Sequence, residues 1–308
     1  MNKSISVIFV FFITIIPGYT QQQATFSQYM FNGLAINPAY AGSHEVLSAT
    51  ALVRYQSLGL PGAPTTQSFS AHTPLLNEKI ALGALFVHDK IGVIDQTGIY
   101  GSYAYRIQFS EDKAKPNVLS LGLQAGVSIY DAKYSELQIY NSSDPAFARD
   151  ITQSKVNFGF GIYYYTHKLY AGLSIPHLSS NVFDRGDNFE TITQTNPILL
   201  NGGYVFKLTR FIKFKPNFLM KFVDTAPVEI DLNGNLSFDD VLWVGVSYKA
   251  LSAVNVLTEA QVTNQIRIGY AYSLTTSSLR QVDHGSHEFL VNYRFKYPKD
   301  GVLSPRHF

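Results

Sequence analysis

The segment LSLGLQAGVSIY, residues 119–130, alternates at every position between two kinds of side chain. One face carries Leu, Ala, Val and Ile, whereas the other carries Ser, Gly, Gln and Tyr. A strand of a soluble protein would bury the apolar face and place charged residues on the other, but here the polar face is small and uncharged. The alternation is therefore typical of a transmembrane β-strand whose apolar side faces lipid.

Similar segments follow one another from about residue 46 to residue 297, and no Gly- or Pro-rich linker separates them. There are about 14 of them, and bacterial outer-membrane barrels have even strand numbers. We therefore predict an all-β protein: a transmembrane antiparallel up-and-down β-barrel over residues 46–297. The predicted strands begin near Val46, Thr65, Ile80, Gln96, Asn117, Ser154, Lys168, Asn196, Ile212, Val228, Val241, Ala253, Gln265 and Gly285.

Short and long connections alternate along the chain, as expected for a barrel with short periplasmic turns and longer outer loops. The short links are residues 166–168, 209–210, 239–240 and 264–265, and the long links are residues 131–153, 176–195 and 276–284. With the N-terminus in the periplasm, every long link lies outside, although residues 223–227 and 250–253 are short on the outer side. Residues 175–183, IPHLSSNVF, are expected to form a short helix over the outer mouth.

Residues 1–20 are predicted to be a secretory signal peptide. A basic start precedes an apolar run over residues 5–16, and Gly18 and Thr20 place the cleavage near Gln21. The apolar run is shorter than the roughly 20 residues that a membrane-spanning helix needs. We therefore expect an exported protein without a transmembrane helix, located in the outer membrane and surrounded by its lipid.

The composition excludes several functional classes. The chain has no cysteine, so it has no disulfide framework, thiolate zinc site, cysteine nucleophile or lipidated cysteine. Charged residues make up 15% of the chain, well below the roughly 25% of soluble domains, while aromatic residues reach 14%. The net charge of +2 without any basic block argues against a nucleic-acid partner.

Residues 21–45 lack the alternation and end in a turn-rich sequence. Their aromatic side chains can pack against an inner wall, and their amide side chains can form hydrogen bonds to it. We favour a plug in the lumen or a cap on the periplasmic mouth over a flexible leader, because disordered leaders are seldom so aromatic. The candidate plug or cap motif consists of Asn37, Pro38, Tyr40 and Gly42. At the other end, residues 298–308 are expected to form a short periplasmic tail.

If the apolar strand faces meet lipid, most of the strand charges point into the lumen, where Lys and Arg avoid a cost of about 2 to 4 kcal/mol each. The candidate lumen charges are Arg106, Lys215, Lys221, Glu229, Asp231 and Arg267. One interpretation is a charged pore or ligand channel. The other, which we favour, is a lumen whose opposite charges satisfy one another, with Lys221 paired to Glu229 and Asn217 to Asn233 across neighbouring strands.

Sequence motifs for catalysis are lacking. The chain has no Walker loop, dinucleotide-binding glycine motif, HExxH or nucleophile elbow. Asp283, His284 and His287 resemble a metal-binding group, but solvated loop histidines are the more common alternative. We expect no catalytic, cofactor-binding or metal-binding residues and therefore no enzyme activity.

Several motifs in a fixed order carry a family resemblance. They are QQQATFSQYMFNGLAINPAYAGS from Gln21, HTPLLNEKIALG from His72, SYAYRI from Ser102, NFGFGIYYYTHKLYAGLSIPHL from Asn157, GYVFKL from Gly203, LWVGVSY from Leu242, QIRIGYAY from Gln265 and GSHEFLVNYRF from Gly285. In these motifs the chain resembles the PorP/SprF family of outer-membrane proteins of the Bacteroidetes type IX secretion system, over about residues 24–297. Gly33 is a small departure, since many relatives are expected to carry Pro there.

The resemblance implies that the protein assists secretion or surface anchoring of an exported partner at the cell surface, such as an adhesin with a C-terminal sorting domain. In some relatives this role is tied to gliding motility, and periplasmic type IX subunits are further implied partners. The alternative is a porin-like or hydrophobic-solute transport channel that uses the basic lumen.

Overall fold

The computed structural model describes residues 26–75, 78–110, 116–137, 149–179, 181–183, 192–194, 196–224, 226–250 and 252–295. The predicted signal peptide, the predicted C-terminal tail and parts of the two longest loops lie outside the described residues. The predicted end of the last strand at residue 297 also lies outside them.

Fourteen antiparallel strands form a closed barrel, as the sequence predicts. The strands are β1 (Ser48–Tyr55), β2 (Thr65–Leu75), β3 (Ile80–Ile91), β4 (Ile94–Gln108), β5 (Asn117–Ala132), β6 (Ile151–Thr166), β7 (Leu169–Ile175), β8 (Asn181–Phe183), β9 (Ile192–Gln194), β10 (Ile198–Tyr204), β11 (Phe206–Lys207), β12 (Ile212–Val223), β13 (Ala226–Phe238), β14 (Leu242–Lys249), β15 (Ala253–Gln261), β16 (Ile266–Thr275) and β17 (Ser286–Arg294). β10 and β11 are two pieces of one wall strand, and β8 and β9 form a separate hairpin outside the wall. Each wall strand begins within three residues of its predicted start.

The barrel closes through the first and last strands, which pair from Ser48 opposite Arg294 to Tyr55 opposite His287. Closure leaves no unpaired sheet edge, which is the condition for a β-structure to exist in lipid. The predicted register between β12 and β13 is confirmed, since Lys221 lies opposite Glu229 and Asn217 opposite Asn233.

The apolar side chains of the wall face outward and the small polar ones face inward, the reverse of the arrangement in a soluble protein. On β5, Leu121 and Leu123 are exposed, with Leu123 at 60%, whereas Ser120 and Gln124 are buried in the barrel interior. The alternation noted in the sequence therefore places the apolar face outward along the wall, where lipid covers it.

The two barrel ends differ in their connections. The N-terminal end of β1, the C-terminal end of β17 and the tight turns after β6, β11, β13 and β15 share the end predicted to be periplasmic, and the long links share the outer end. Three outer connections are short: the two predicted ones and a further one at residues 92–93, where Gly92 has a φ of 60°.

The expected helix over residues 175–183 is wrong. Ile175 ends β7, and Asn181–Phe183 is a strand that pairs with Ile192–Gln194. Val182 and Phe183 favour an extended backbone, and a matching segment later in the same loop completes the hairpin. No helix in the described part of the chain is long and apolar enough to cross a membrane.

Candidate functional site

The described part of the N-terminal segment, residues 26–46, lies inside the barrel, and we call it the luminal segment. It folds as three short 3-10 helices, Tyr29–Phe31, Gly33–Ala35 and Pro38–Tyr40. It runs from the outer half of the lumen to the periplasmic end, since Ser27 contacts Ser273 whereas His44 contacts Ser48. The segment therefore fills the interior along most of its length.

The outer end of the luminal segment is bound by one carboxylate of the last strand. The backbone N–H groups of Ser27 and Gln28 each donate to the Glu288 carboxylate at 2.8 Å. Arg54 forms an ion pair with the same carboxylate at 3.2 Å and donates to the Ser27 hydroxyl at 2.8 Å. Glu288 is 1% exposed, and its buried charge is balanced by the Arg54 guanidinium and by the backbone N–H groups of Ser27 and Gln28.

The middle of the luminal segment forms hydrogen bonds to strands on opposite sides of the wall. The Tyr29 hydroxyl donates to Asn217 on β12 at 2.8 Å, and the Ser174 hydroxyl on β7 donates to the Ile36 carbonyl at 2.6 Å. On the opposite side, Asn32 donates to Ser68 and accepts from Ser70, both on β2. These bonds satisfy polar groups that water does not reach.

The candidate motif lies near the periplasmic end. The Asn37 side chain caps the helix that begins at Pro38, because its Oδ1 accepts from the Ala39 N–H at 2.9 Å. Its Nδ2 donates to the Ile162 carbonyl of β6 at 2.9 Å. Asn37 thus holds its own turn and binds the wall with the same side chain.

Tyr40 and Gly42 lie in a ring of aromatic and imidazole groups. Tyr40 makes edge contacts with His72 and Tyr163, at centroid distances of 5.5 and 5.4 Å. Its hydroxyl is 3.1 Å from His44 Nε2, and the Gly42 N–H donates to His72 Nδ1 at 3.2 Å. Gly42 has a φ of 76°, a conformation that favours glycine.

A glycine on the wall makes room for this turn. Gly122 on β5 faces inward, and a Cβ at this position would lie 2.5 Å from Ala39 Cα, which is too close for any atom. The small inward-facing side chains of residues 119–130 therefore have a structural reason: the luminal segment packs directly on the wall backbone at Gly122.

The six candidate lumen charges all belong to inward positions of the wall, but they do not form one site. Arg106 donates to the Tyr165 hydroxyl at 2.6 Å and to the Glu78 carbonyl at 3.0 Å. Lys215 is fully buried, and its Nζ lies 5.6 Å from the ring centroid of Phe31. These contacts favour a lumen whose polar and charged groups bind one another over a continuous charged pore.

Three of the remaining candidates, Lys221, Glu229 and Arg267, belong to two ion-pair groups. Glu229 pairs with Lys221 at 3.4 Å and with Lys249 at 3.2 Å, and Arg267 pairs with the buried Glu259 at 2.8 Å. Asp231 accepts a hydrogen bond from Ser247 at 3.1 Å. Glu259 and Glu288 were not among the predicted lumen charges, although each is an acidic residue on the inward face of an alternating strand.

Two cavities remain in the outer half of the lumen, and Phe26 lines both. The first, which we call the aromatic cavity, has a volume of about 130 Å³ and is lined by the rings of Phe26, Tyr29, Tyr100, Tyr130 and His177. The second, the hydroxyl cavity, has a volume of about 190 Å³ and is lined by Ser27, Ser57, Ser252, Ser273, Thr275, Ser277 and Ser286, among others. Neither cavity is predictable from the sequence, because each depends on how the luminal segment packs against the wall.

Side chains at the outer mouth hold the bases of the loops. Asp150 accepts from the Ser135 N–H and from its hydroxyl, both at 2.9 Å, and these bonds lower the pKa of the Asp150 carboxyl. His177 packs against Tyr100 with tilted rings at a centroid distance of 5.3 Å, and burial lowers its pKa to about 4. In the turn before β17, Asp283 accepts from the Gly285 N–H at 2.8 Å.

Among the described residues, no group of three or more potential ligands comes together to hold a metal ion. Asp283 is engaged in its own turn, and Thr275 also donates to it. His287 forms a hydrogen bond with Tyr270 at 2.8 Å.

Solved outer-membrane proteins are similar to this chain in fold. The Acinetobacter baumannii outer membrane protein Omp33 is 9% identical, with coverage of 82% of this chain and 98% of that chain and a TM-score of 0.47. The CymD monoaromatic hydrocarbon channel is 12% identical, with coverage of 87% and 94% and a TM-score of 0.49. A Pseudomonas aeruginosa FadL homologue is 11% identical, with coverage of 85% and 94% and a TM-score of 0.47.

No curated protein sequence matches the chain. A family model does: the model described as type IX secretion system membrane protein PorP/SprF matches residues 19–293.

Proposed function

The chain belongs to the PorP/SprF family of type IX secretion system membrane proteins, and from this premise we propose that it assists secretion or surface anchoring of an exported partner protein. The partner is an adhesin-like cargo with a C-terminal sorting domain, bound at the outer mouth of an outer-membrane barrel. Periplasmic secretion subunits are further partners at the opposite end.

The observation that best supports this proposal is the occupied lumen. The luminal segment is bound to the wall at its outer end through Glu288 and at its periplasmic end through Asn37 and His72. A polypeptide cannot pass through an interior that is already filled by packed side chains. The barrel therefore acts beside the route of the cargo, as a holder or anchor.

The outer mouth offers the larger surface for such a partner. Its long connections join β5 to β6, β7 to β10 and β16 to β17, whereas most periplasmic turns are tight. Loops of this kind, carried on a rigid scaffold, are the usual location of binding surfaces.

We propose no catalytic role. The family is one of secretion membrane proteins, and the buried carboxylates Glu259 and Glu288 bind Arg267 and the luminal segment, respectively. A catalytic group would need to be held toward a substrate instead.

The proposal is tested by an affinity pull-down of the tagged protein from detergent-solubilised outer membranes, followed by mass spectrometry. We expect a large exported protein with a C-terminal sorting domain to co-purify. Two matched variants locate the contact: a short Gly-Ser linker replaces residues 139–147 in an outer loop or residues 111–115 in a periplasmic turn. The outer replacement should lose the cargo, and the periplasmic one should retain it.

A transport channel is the alternative outcome. If the wild-type protein purifies alone and conducts ions steadily in a planar bilayer, the anchoring role is wrong and the lumen is the functional site. Loss of the cargo from the periplasmic replacement alone would instead place the contact at the wrong end of the barrel and contradict the proposed surface.

A further inference from the structure

The aromatic cavity has a floor, a wall and an outer side that are formed by different parts of the chain. The luminal segment forms the floor through Phe26, Tyr29 and Ile36, and the strands form the wall. Pro176, His177 and Pro197, from the outer connection between β7 and β10, form the outer side. A ligand therefore reaches the cavity from outside the cell, and the luminal segment lies between it and the periplasm.

Two carboxylates line this cavity on opposite walls of the barrel, and Arg54 attracts both while Lys249 also attracts Asp231. Asp89 on β3 and Asp231 on β13 are 9% and 8% exposed, and each accepts a hydrogen bond from a neighbouring hydroxyl, that of Thr66 or Ser247. Within the part of the chain that the structure describes, neither carboxylate belongs to an ion pair. A buried carboxylate without a counter-charge is costly, and a bound cation would offset that cost.

The other charges at the cavity leave only Asp89 without a close cation. Lys221 and Lys249 share Glu229, and Lys249 lies directly opposite Asp231 in the register of β13 and β14, so these four charges balance one another. His177 is neutral near pH 7, because burial lowers its pKa to about 4. The Asp89 carboxylate therefore gives the cavity a net negative charge.

The rings give the cavity a second property that favours a cation. The face of an aromatic ring attracts an ammonium or guanidinium group within about 6 Å, and cages of several rings bind alkylammonium ligands. Tyr100 and His177 already pack ring to ring at 5.3 Å, and the Tyr100 hydroxyl is held by Ser128 at 2.7 Å. A volume of about 130 Å³ is comparable to that of an engineered cavity of about 150 Å³ in another protein, which accepts benzene.

We propose that the aromatic cavity binds an organic cation, consisting of one aromatic ring or a compact alkyl group joined to an ammonium. The ring lies among the aromatic side chains, and the ammonium faces Asp89 on β3, the strand beside that of Tyr100. The same chemistry is offered by a free aromatic amine and by a lysine beside an aromatic residue in a peptide. This binding site is independent of the proposed role in anchoring, since it rests on the cavity alone.

The test uses calorimetric titration of the purified full-length barrel with three matched probes: 2-phenylethylamine, 2-phenylethanol and 3-phenylpropionate. We expect the amine to bind at least tenfold more tightly than the alcohol, and the acid not to bind. A capped Phe-Lys peptide forms the second arm. Tighter binding of the free amine identifies a small molecule as the ligand, and tighter binding of the peptide identifies a polypeptide side chain.

Four variants complete the test. Asp89→Asn should weaken amine binding at least threefold, whereas Asp231→Asn, on the opposite wall, should have a smaller effect. Asp240→Asn, which changes a carboxylate in a periplasmic turn, should leave binding unchanged. Val87→Trp fills the cavity without changing its charge and should abolish binding of every probe. If the amine and the alcohol bind equally, or if neither the amine nor the peptide binds the wild-type barrel, the proposal is wrong.

Discussion

The periplasmic half and the outer half of the lumen are filled in different ways. In the periplasmic half, Leu34, Ala39 and Tyr40 pack against small wall residues such as Ala81 and Ala104, and all five side chains are buried. In the outer half, Phe26 of the luminal segment lies between two cavities, and the segment is held there mainly by a single carboxylate.

This difference indicates that the two halves of the lumen have different roles. Close packing of complementary surfaces closes the lumen, and it tolerates little change in volume. Hydrogen bonds around open space hold the chain but leave room for a ligand or a partner. Changes in the periplasmic half should therefore affect closure of the barrel, whereas changes in the outer half should affect binding and local order.

The largest effect is expected from Gly122→Leu. The new side chain occupies the position of the Pro38–Ala39 backbone, so the luminal segment must leave the wall. Overpacking costs typically about 1 to 3 kcal/mol, and more where the obstacle is backbone. In a planar bilayer the variant should show stable conductance steps that the wild type lacks.

Gly101→Leu is the matched control for this change. Gly101 lies on the adjacent strand β4 and faces outward, and a Cβ added there would have only the Ala125 carbonyl oxygen within 4 Å. This variant should remain closed to ions. Equal conductance of the two variants, or none in either, would contradict the idea that packing in the periplasmic half closes the barrel.

The next effect is expected from Glu288→Gln in the outer half. The neutral amide leaves Arg54 without its ion pair and satisfies only one of the two N–H groups at Ser27 and Gln28. Breaking a buried ion pair costs on the order of 3 kcal/mol. The outer end of the luminal segment should detach while the periplasmic end stays bound.

Cysteine labelling measures the accessibility of each end of the luminal segment separately, because the chain has no cysteine of its own. In the Glu288→Gln background, a thiol introduced by Ser27→Cys should react with a maleimide at least tenfold faster than in the native background. A thiol introduced by Ala41→Cys should keep its rate. Glu229→Gln, which breaks ion pairs with Lys221 and Lys249, is the control. A comparable increase in the reaction rate at position 27 in this background would show that the loss of any luminal ion pair destabilises the segment.

A smaller effect is expected from Asn37→Ala. The change removes the cap on the Pro38–Tyr40 helix and the hydrogen bond to Ile162, with a cost of about 1 to 2 kcal/mol. Hydrogen exchange at the Ala39 amide should accelerate about tenfold, while exchange at Ser27 and Gln28 should not change. Unchanged exchange at Ala39 would show that packing alone holds this turn.

The sequence predicts the wall far better than it predicts the interior. A strand in lipid must pair all of its backbone groups, so alternation and turns fix the strands closely, and the opposition of Lys221 and Glu229 follows from one turn. The luminal segment has no period, so its aromatic content suggests burial without giving a path. Glu288 is recognisable as an inward acid, but its main partners are backbone amides about 260 residues away, which no local pattern reveals.

The smallest effect is expected at the outer mouth, where His177 packs against Tyr100. Burial lowers the His177 pKa from 6.5 to about 4, so the folded state favours the neutral ring. Its contribution to stability is complete above about pH 6.5 and is lost as the pH falls toward 4, because only the unfolded state gains a proton in that range. His177→Phe keeps a ring beside Tyr100 and removes the titration. Relative to the wild type, the variant should therefore gain about 2 °C in melting temperature at pH 4.5 compared with pH 7.5. If the difference in melting temperature between the variant and the wild type is the same at both pH values, the outer mouth, like the periplasmic half, is held by packing that protonation does not disturb.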